Sequence, residues 1–297
     1  MLWGVDLGGT KIEICVLESN DARSTIIRER VHTPQTDGYD AILSAIASLV
    51  KQTSDKLGVN PTKIGFGTPG VLDPITQNLK NSNTQCLNGK PLLADLRKLL
   101  GCDIRIANDA NCSALAEATM GAGKGAKVVF GVILGTGVGG GVVINGEVLH
   151  GRQGVAGEWG HNVLEFGGKP CYCGKSGCVE MCISGPALEE YFFKKSGEAL
   201  PLNEIVARAR AGKDLVAIET IERLIDLFGR AIAVVINIVD PDLIVLAGGV
   251  SNIDELYTKG VESAKKSVFN PTPDIQIVKN LLGDSAGVFG AACLFKI

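Results

Sequence analysis

One local pattern occurs twice in this chain of 297 residues and limits its fold more than any other feature. Residues 2–6 form a short apolar strand that runs into Leu7-Gly8-Gly9-Thr10. Residues 11–17 alternate apolar and polar side chains as a returning strand, and 24–31 make a third. Residues 128–134 then lead into Gly135-Thr136-Gly137-Val138-Gly139-Gly140 and a returning strand at 141–144. Asn145-Gly146, a strong hairpin signal, precedes a third strand from Glu147. The repeat implies an internal duplication, one copy per domain. The copies are not identical, because Asp6 has no acidic counterpart near Ile133. The expected division is residues 1–120, completed by a returning C-terminal helix at 284–297, and residues 121–283. Gly121-Ala122-Gly123-Lys124-Gly125 is the expected hinge.

Between the repeats, strands alternate with helices, as in an α/β protein. Residues 40–57 place Ile42, Ile46, Leu49 and Val50 on one helical face, with Gly58 at the C-cap position. Strands are expected at 63–67 and 103–107, and Asn108-Asp109-Ala110-Asn111 opens a helix. Residues 189–239 read as largely helical. A continuous apolar strand at 243–247 follows, ending in Gly248-Gly249, then a helix from about Ile253 and a strand at 274–279.

The net charge of −3, without a basic run, argues against a nucleic-acid partner. The N-terminus has no basic n-region, and the longest apolar run, 231–239, is broken by Asn237 and too short to span a bilayer. Nine cysteines without a regular framework point to a reducing, cytoplasmic setting.

Three glycine-rich turns follow apolar strands, at 8–9, 135–140 and 248–249. Backbone amides in such turns converge on phosphate oxygens, because glycine allows close approach and tolerates positive φ. No Walker A string occurs. Gly135, Gly137 and Gly140 satisfy Gly-x-Gly-x-x-Gly, but a β-branched run follows where a dinucleotide fold needs a helix. Asp6 suits a magnesium ion, directly or through water; the plainer role is an Asp satisfying turn amides. Lys11 suits a phosphate and equally a solvated strand. Asp109, at a strand's C-terminal end and a helix start, suits a base that takes a hydroxyl proton during phosphoryl transfer. Taken alone it fits an ordinary N-cap slightly better. Asn81-Ser82-Asn83, Asn108, Glu158, His161 and Glu180 are able to make paired hydrogen bonds to sugar hydroxyls.

Cys171-Tyr172-Cys173-Gly174-Lys175-Ser176-Gly177-Cys178 sets three thiols among small polar residues, which suits a structural zinc site more than buried core cysteines. His161, ten residues upstream, is the natural fourth ligand, with Cys182 the competitor. Glu158 and Glu180 flank the cluster, so the metal would clamp a polar site.

Asp6-Leu7-Gly8-Gly9-Thr10-Lys11, Asn108-Asp109-Ala110-Asn111, Gly135 to Gly140, Gly157-Glu158-Trp159-Gly160-His161-Asn162, and the cysteine loop through Glu180 together resemble the ROK family of repressors, open-reading-frame proteins and sugar kinases. The resemblance implies an actin-like ATPase fold: two ribonuclease-H-like domains around a cleft, with a zinc-binding loop at 161–180. It implies an ATP- and Mg²⁺-dependent hexose kinase and a homodimer. Carried over, Asp109 is the catalytic base. Asn83, Asn108, Asp109, Glu158, His161 and Glu180 bind the sugar, and His161, Cys171, Cys173 and Cys178 hold structural Zn²⁺. Asp6, Gly8, Gly9, Thr10, Lys11, Gly135, Thr136 and Gly137 serve the phosphates and their metal, and Gly248 and Gly249 lie near the adenosine. Trp159, Asn162 and the 81–89 segment look most like bacterial fructokinases that also accept mannose. The expectation is therefore phosphorylation of the fructose 6-hydroxyl, with N-acetylglucosamine or glucose as the alternative. A repressor is not expected, since the phosphate loop begins at residue 6, leaving no space for a winged helix ahead of it, and no basic patch replaces one. A non-catalytic sugar sensor is the distant alternative.

Overall fold

The structure is a computed structural model that describes residues 1–295. In chain order the elements are β1 (Leu2–Leu7), β2 (Lys11–Leu17), β3 (Thr25–His32), α1 (Tyr39–Leu57), β4 (Lys63–Thr68), β5 (Val71–Leu72), β6 (Leu79–Lys80), α2 (Leu92–Leu100), β7 (Asp103–Asn108) and α3 (Asp109–Met120). They continue as β8 (Val128–Leu134), β9 (Val138–Ile144), β10 (Glu147–Val148), α4 (Val179–Ile183), α5 (Gly185–Ser196), α6 (Leu202–Arg210) and α7 (Leu215–Val239). The last are β11 (Leu243–Ala247), α8 (Lys259–Lys265), β12 (Ile277–Lys279) and α9 (Ala286–Ala292). No helix among the described residues is long and apolar enough to cross a membrane.

Two five-stranded sheets carry the repeat, in the orders β3-β2-β1-β4-β7 and β10-β9-β8-β11-β12. In each, the first strand lies between its returning strand and a parallel strand from later in the chain: β1 beside β2 and β4, β8 beside β9 and β11.

The chain divides into two compact units. One comprises residues 1–127, 141–157 and 281–297; the other comprises 128–140 and 158–280. Residues 141–157 group with the first unit, although β9 and β10 keep their expected place in the second sheet. Gly141 explains this locally: a Cβ there would lie 2.8 Å from Asn111 Oδ1 and 3.0 Å from Ala110 O, so β9 runs directly against the start of α3.

In the first unit the core joins Val5, Leu7, Ile12 and Ile14 of the β1–β2 hairpin to Ile42, Ile46 and Leu49 of α1. The amphipathic spacing seen in the sequence is what buries that face. The opposite side of the sheet is covered by α9, whose backbone lies on glycines: a Cβ on Gly65 would overlap Ala291 O, and one on Gly4 would overlap Val288 O. The helix expected at 284–297 is shorter. A 3₁₀ turn at Gly283–Ser285 precedes α9, and residues 296–297 lie outside the described residues.

The second unit centres on α7, buried along Leu224, Phe228 and Ile232, capped at its start by Asp214 and ended by Asp240 in the left-handed region. The helix expected from about Ile253 is one 3₁₀ turn, Asp254–Tyr257, followed by α8, and the strand expected at 274–279 is only Ile277–Lys279. Pro271 and Pro273 break the segment before that strand.

Candidate functional site

In the first unit, β1 ends at Asp6-Leu7, and the turn beyond is held from one neighbour. Thr33 Oγ1 donates to Gly8 O (2.7 Å), Thr33 N donates to Thr10 O (3.0 Å), and Gly8 N donates to Lys11 O (2.9 Å). Thr33 is fully buried, and no sequence motif marks it. Lys11 is committed to Glu13, Nζ to Oε2 3.3 Å, and that nearly inaccessible carboxylate also pairs with Arg28 and Arg30. Asp6 is partly exposed but hemmed in by protein. Burial, then repulsion from Asp109 and Glu13, pushes its carboxyl up to about 7, with Lys11 opposing.

Asp109 is the first residue of α3, at the C-terminal end of β7. It does not cap the helix. Asn108 does, its Oδ1 accepting from Asn111 N at 2.8 Å. That division of labour removes the N-cap alternative for Asp109 and assigns it to Asn108 instead. The Asp109 side chain remains accessible to solvent. Ala110 N donates to its Oδ1 at 2.8 Å, and the protein packed around the carboxyl raises its proton affinity. An accessible carboxylate with raised basicity, fixed at a strand end, can accept a hydroxyl proton.

Asn83 is exposed on a loop that Asn88 braces: Ser82 N donates to Asn88 Oδ1, and Asn88 Nδ2 donates to Ser82 O, both at 2.9 Å. Asn81 takes φ +60°, which Asn tolerates better than most residues. The 81–89 segment is thus largely occupied with its own geometry.

In the second unit, the turn after β8 closes through Gly135 N to Gly137 O (2.9 Å), leaving Thr136 exposed. Gly8, Gly9, Gly135 and Gly137 do not adopt positive φ, contrary to the general argument for such turns. At Gly137 a Cβ would come within 2.6 Å of Glu180 Oε2 and displace that carboxylate. Gly135 and Gly249 face open space, and Gly248 alone of these needs the left-handed region, at φ +89°. Glu158 lies at the start of the 3₁₀ turn Trp159–His161, its carbonyl accepting from His161 N (3.2 Å). Glu180 is buried in the first turn of α4, where its Oε2 accepts from Val138 N at 2.9 Å.

His161, Cys171, Cys173 and Cys178 converge, with all four ligand atoms within 4.8 Å of one another. Cys173 Sγ and Cys178 Sγ are 3.6 Å apart, and Cys171 Sγ is 3.7 Å from His161 Nδ1. A tetrahedral zinc with sulfur at about 2.3 Å has ligand–ligand edges of about 3.8 Å, so the donor set fits. Cys182 stands apart: its Sγ approaches Glu165 Oε2 (3.5 Å) and Gly177 O (3.9 Å), which removes it as the fourth ligand. Tyr172, which no pattern in the sequence marks, places its hydroxyl 3.1 Å from His161 Nε2.

The chain matches the ROK family over residues 2–297. It is 39% identical over 305 residues to the N-acetyl-D-glucosamine kinase of Pectobacterium carotovorum subsp. carotovorum (strain PC1), an alignment covering 99% of this chain and 98% of that protein. Among solved structures it is similar to a ROK hexokinase from Thermus thermophilus, with a TM-score of 0.88, 30% identity, and 99% and 97% of the two chains covered. It is also similar to a ROK family glucokinase from Streptomyces griseus in complex with glucose and AMPPNP (TM-score 0.78, 29% identity, 99% and 98% covered). Across nearly its whole length, therefore, this chain belongs to the ROK family.

Proposed function

We propose that the chain is an ATP-dependent hexose kinase whose acceptor is N-acetyl-D-glucosamine. The observation that carries the chemistry is Asp109: it is accessible, raised in basicity, and relieved of the capping duty by Asn108. It takes the proton of the sugar 6-hydroxyl as that oxygen bonds to the γ-phosphorus, and the bond to the β-phosphate oxygen breaks to release ADP. Asn83, Asn108, Glu158, His161 and Glu180 hold the sugar. The turns at 8–11 and 135–137 hold phosphates, Asp6 serves magnesium, and Gly248-Gly249 adjoins the adenosine. Zinc on His161 and the three cysteines supplies a cross-link within the loop rather than reactivity.

The acceptor reading draws on the relative named above and replaces the fructose expectation, which leaned on Trp159. That residue is 4% exposed, its Nε1 donates to Gly139 O at 2.9 Å, and its ring meets Phe130 edge-on at 5.7 Å. Its side chain is spent on packing and carries no information about a sugar. An ADP-release assay across N-acetyl-D-glucosamine, glucose, fructose, mannose and N-acetylmannosamine tests the reading. The highest kcat/KM is expected for N-acetyl-D-glucosamine. A fructose optimum overturns the acceptor, and turnover of none overturns the kinase.

A further inference from the structure

Three contacts converge on the backbone of the turn between β8 and β9, two of them from residues within two positions of the Cys/His cluster. Glu180, two residues after Cys178, accepts from Val138 N at 2.9 Å, and its Oε2 occupies the space a Gly137 side chain would need. Gly160, next to His161, packs so closely on Val138 that a Cβ would overlap its carbonyl oxygen. Gly185 N, at the start of α5, donates to Gly135 O at 2.9 Å. Val179 N donates to Asn162 O at 3.0 Å, which ties the His161 segment to α4.

We propose that Glu180 is a positioning residue for the nucleotide, and that the metal cluster sets nucleotide affinity through it. The family resemblance assigns Glu180 to the sugar, and its Oε2 is in addition bonded to the backbone of the 135–138 turn, which leaves its other oxygen for that role. With the turn amide satisfied by a buried carboxylate, the remaining amides are held in one arrangement before any phosphate arrives. Such preorganisation raises affinity without a new contact to the ligand. His161 and Cys178 each lie within two residues of a contact on Val138, so cross-linking them fixes both sides of the grip. This rests on the reading of 135–137 as a phosphate turn.

The test measures binding of a non-hydrolysable ATP analogue by calorimetry, without sugar, in the full-length protein, with zinc content assayed in parallel. Glu180→Ala is expected to weaken the analogue about tenfold or more, the scale of a lost charge-assisted hydrogen bond in a buried setting. Glu180→Gln, which keeps an acceptor for Val138 N, is expected to stay within about threefold of the native protein. Native protein stripped of zinc by a chelator should show the same loss as the alanine variant, which keeps the proposal testable even where Glu180→Ala does not fold. Unchanged analogue affinity in Glu180→Ala or in the stripped protein overturns the proposal and leaves the kinase reading standing. Failure of the native, zinc-loaded protein to bind the analogue overturns both.

Discussion

Replacing Asp6 by Asn should stabilise the nucleotide-free protein at neutral pH while abolishing phosphoryl transfer. Asp6 holds its proton up to about 7, against an ordinary value of 3.8, because burial and the carboxylates of Asp109 and Glu13 penalise its charge. The native state therefore binds a proton that the unfolded chain has released between pH 4 and 7, so stability falls as pH rises through that window. At 1.36 kcal/mol per pH unit the cost of ionising Asp6 reaches about 4 kcal/mol, and solvent reaching the partly exposed carboxyl trims it to about 2–4 kcal/mol. The amide of the Asp6→Asn variant does not ionise and carries no such cost. Urea unfolding of both proteins, each without nucleotide and with matched zinc content, is the assay. The difference in stability between variant and native protein should be near zero at pH 4 and grow to about 2–4 kcal/mol by pH 8. Parallel profiles across that range would falsify the assignment of the penalty to Asp6.

Further outcomes follow from other parts of the structure. Asp109→Asn should keep its fold and zinc while kcat falls by about 10²–10⁴; normal turnover would remove Asp109 as the base. In the native enzyme, kcat/KM should rise with pH as Asp109 loses its proton, and a flat profile in that variant's residual activity would support the link. Cys173→Ser should lose zinc and raise the KM for hexose, and stoichiometric zinc by elemental analysis would refute the ligand set. Gly65→Ala, which drives a methyl into Ala291 O, should lower the urea midpoint by the equivalent of about 1–3 kcal/mol or more, and an unchanged midpoint would contradict the α9 packing.

Much of this is legible in the sequence. The repeat of strand, glycine turn and strand is a local signal, and both sheets reproduce it in their strand order. The spacing of Cys171, Cys173 and Cys178 reports a single loop, so its closure with His161 can be read without coordinates. Other features depend on contacts distant in sequence. Nothing local says that Gly141 lies against Asn111, so the sequence places β9 and β10 in the second sheet, as found, but does not show that residues 141–157 group by contact with the first unit. Thr33 carries no motif because it is a brace for a turn more than twenty residues earlier. Trp159 misleads because the likeness to fructokinases leaned on it, yet its indole is turned into the sheet. Gly137 stands out in the sequence for a reason the structure replaces: it makes room for Glu180 and does not need an unusual backbone angle.

The placement of α9 has a consequence for synthesis. Gly4 and Gly65 lie on a sheet face made early in the chain, but the helix that covers them consists of residues 286–292. Until those residues leave the ribosome, the nascent first unit presents an uncovered sheet face beside its completed hairpin. The second unit, by contrast, has all its residues by position 280. Domains ordinarily fold from the N-terminus as they emerge. Here the order can be inverted: the residues of the second unit are complete before the helix that covers the N-terminal sheet face has emerged.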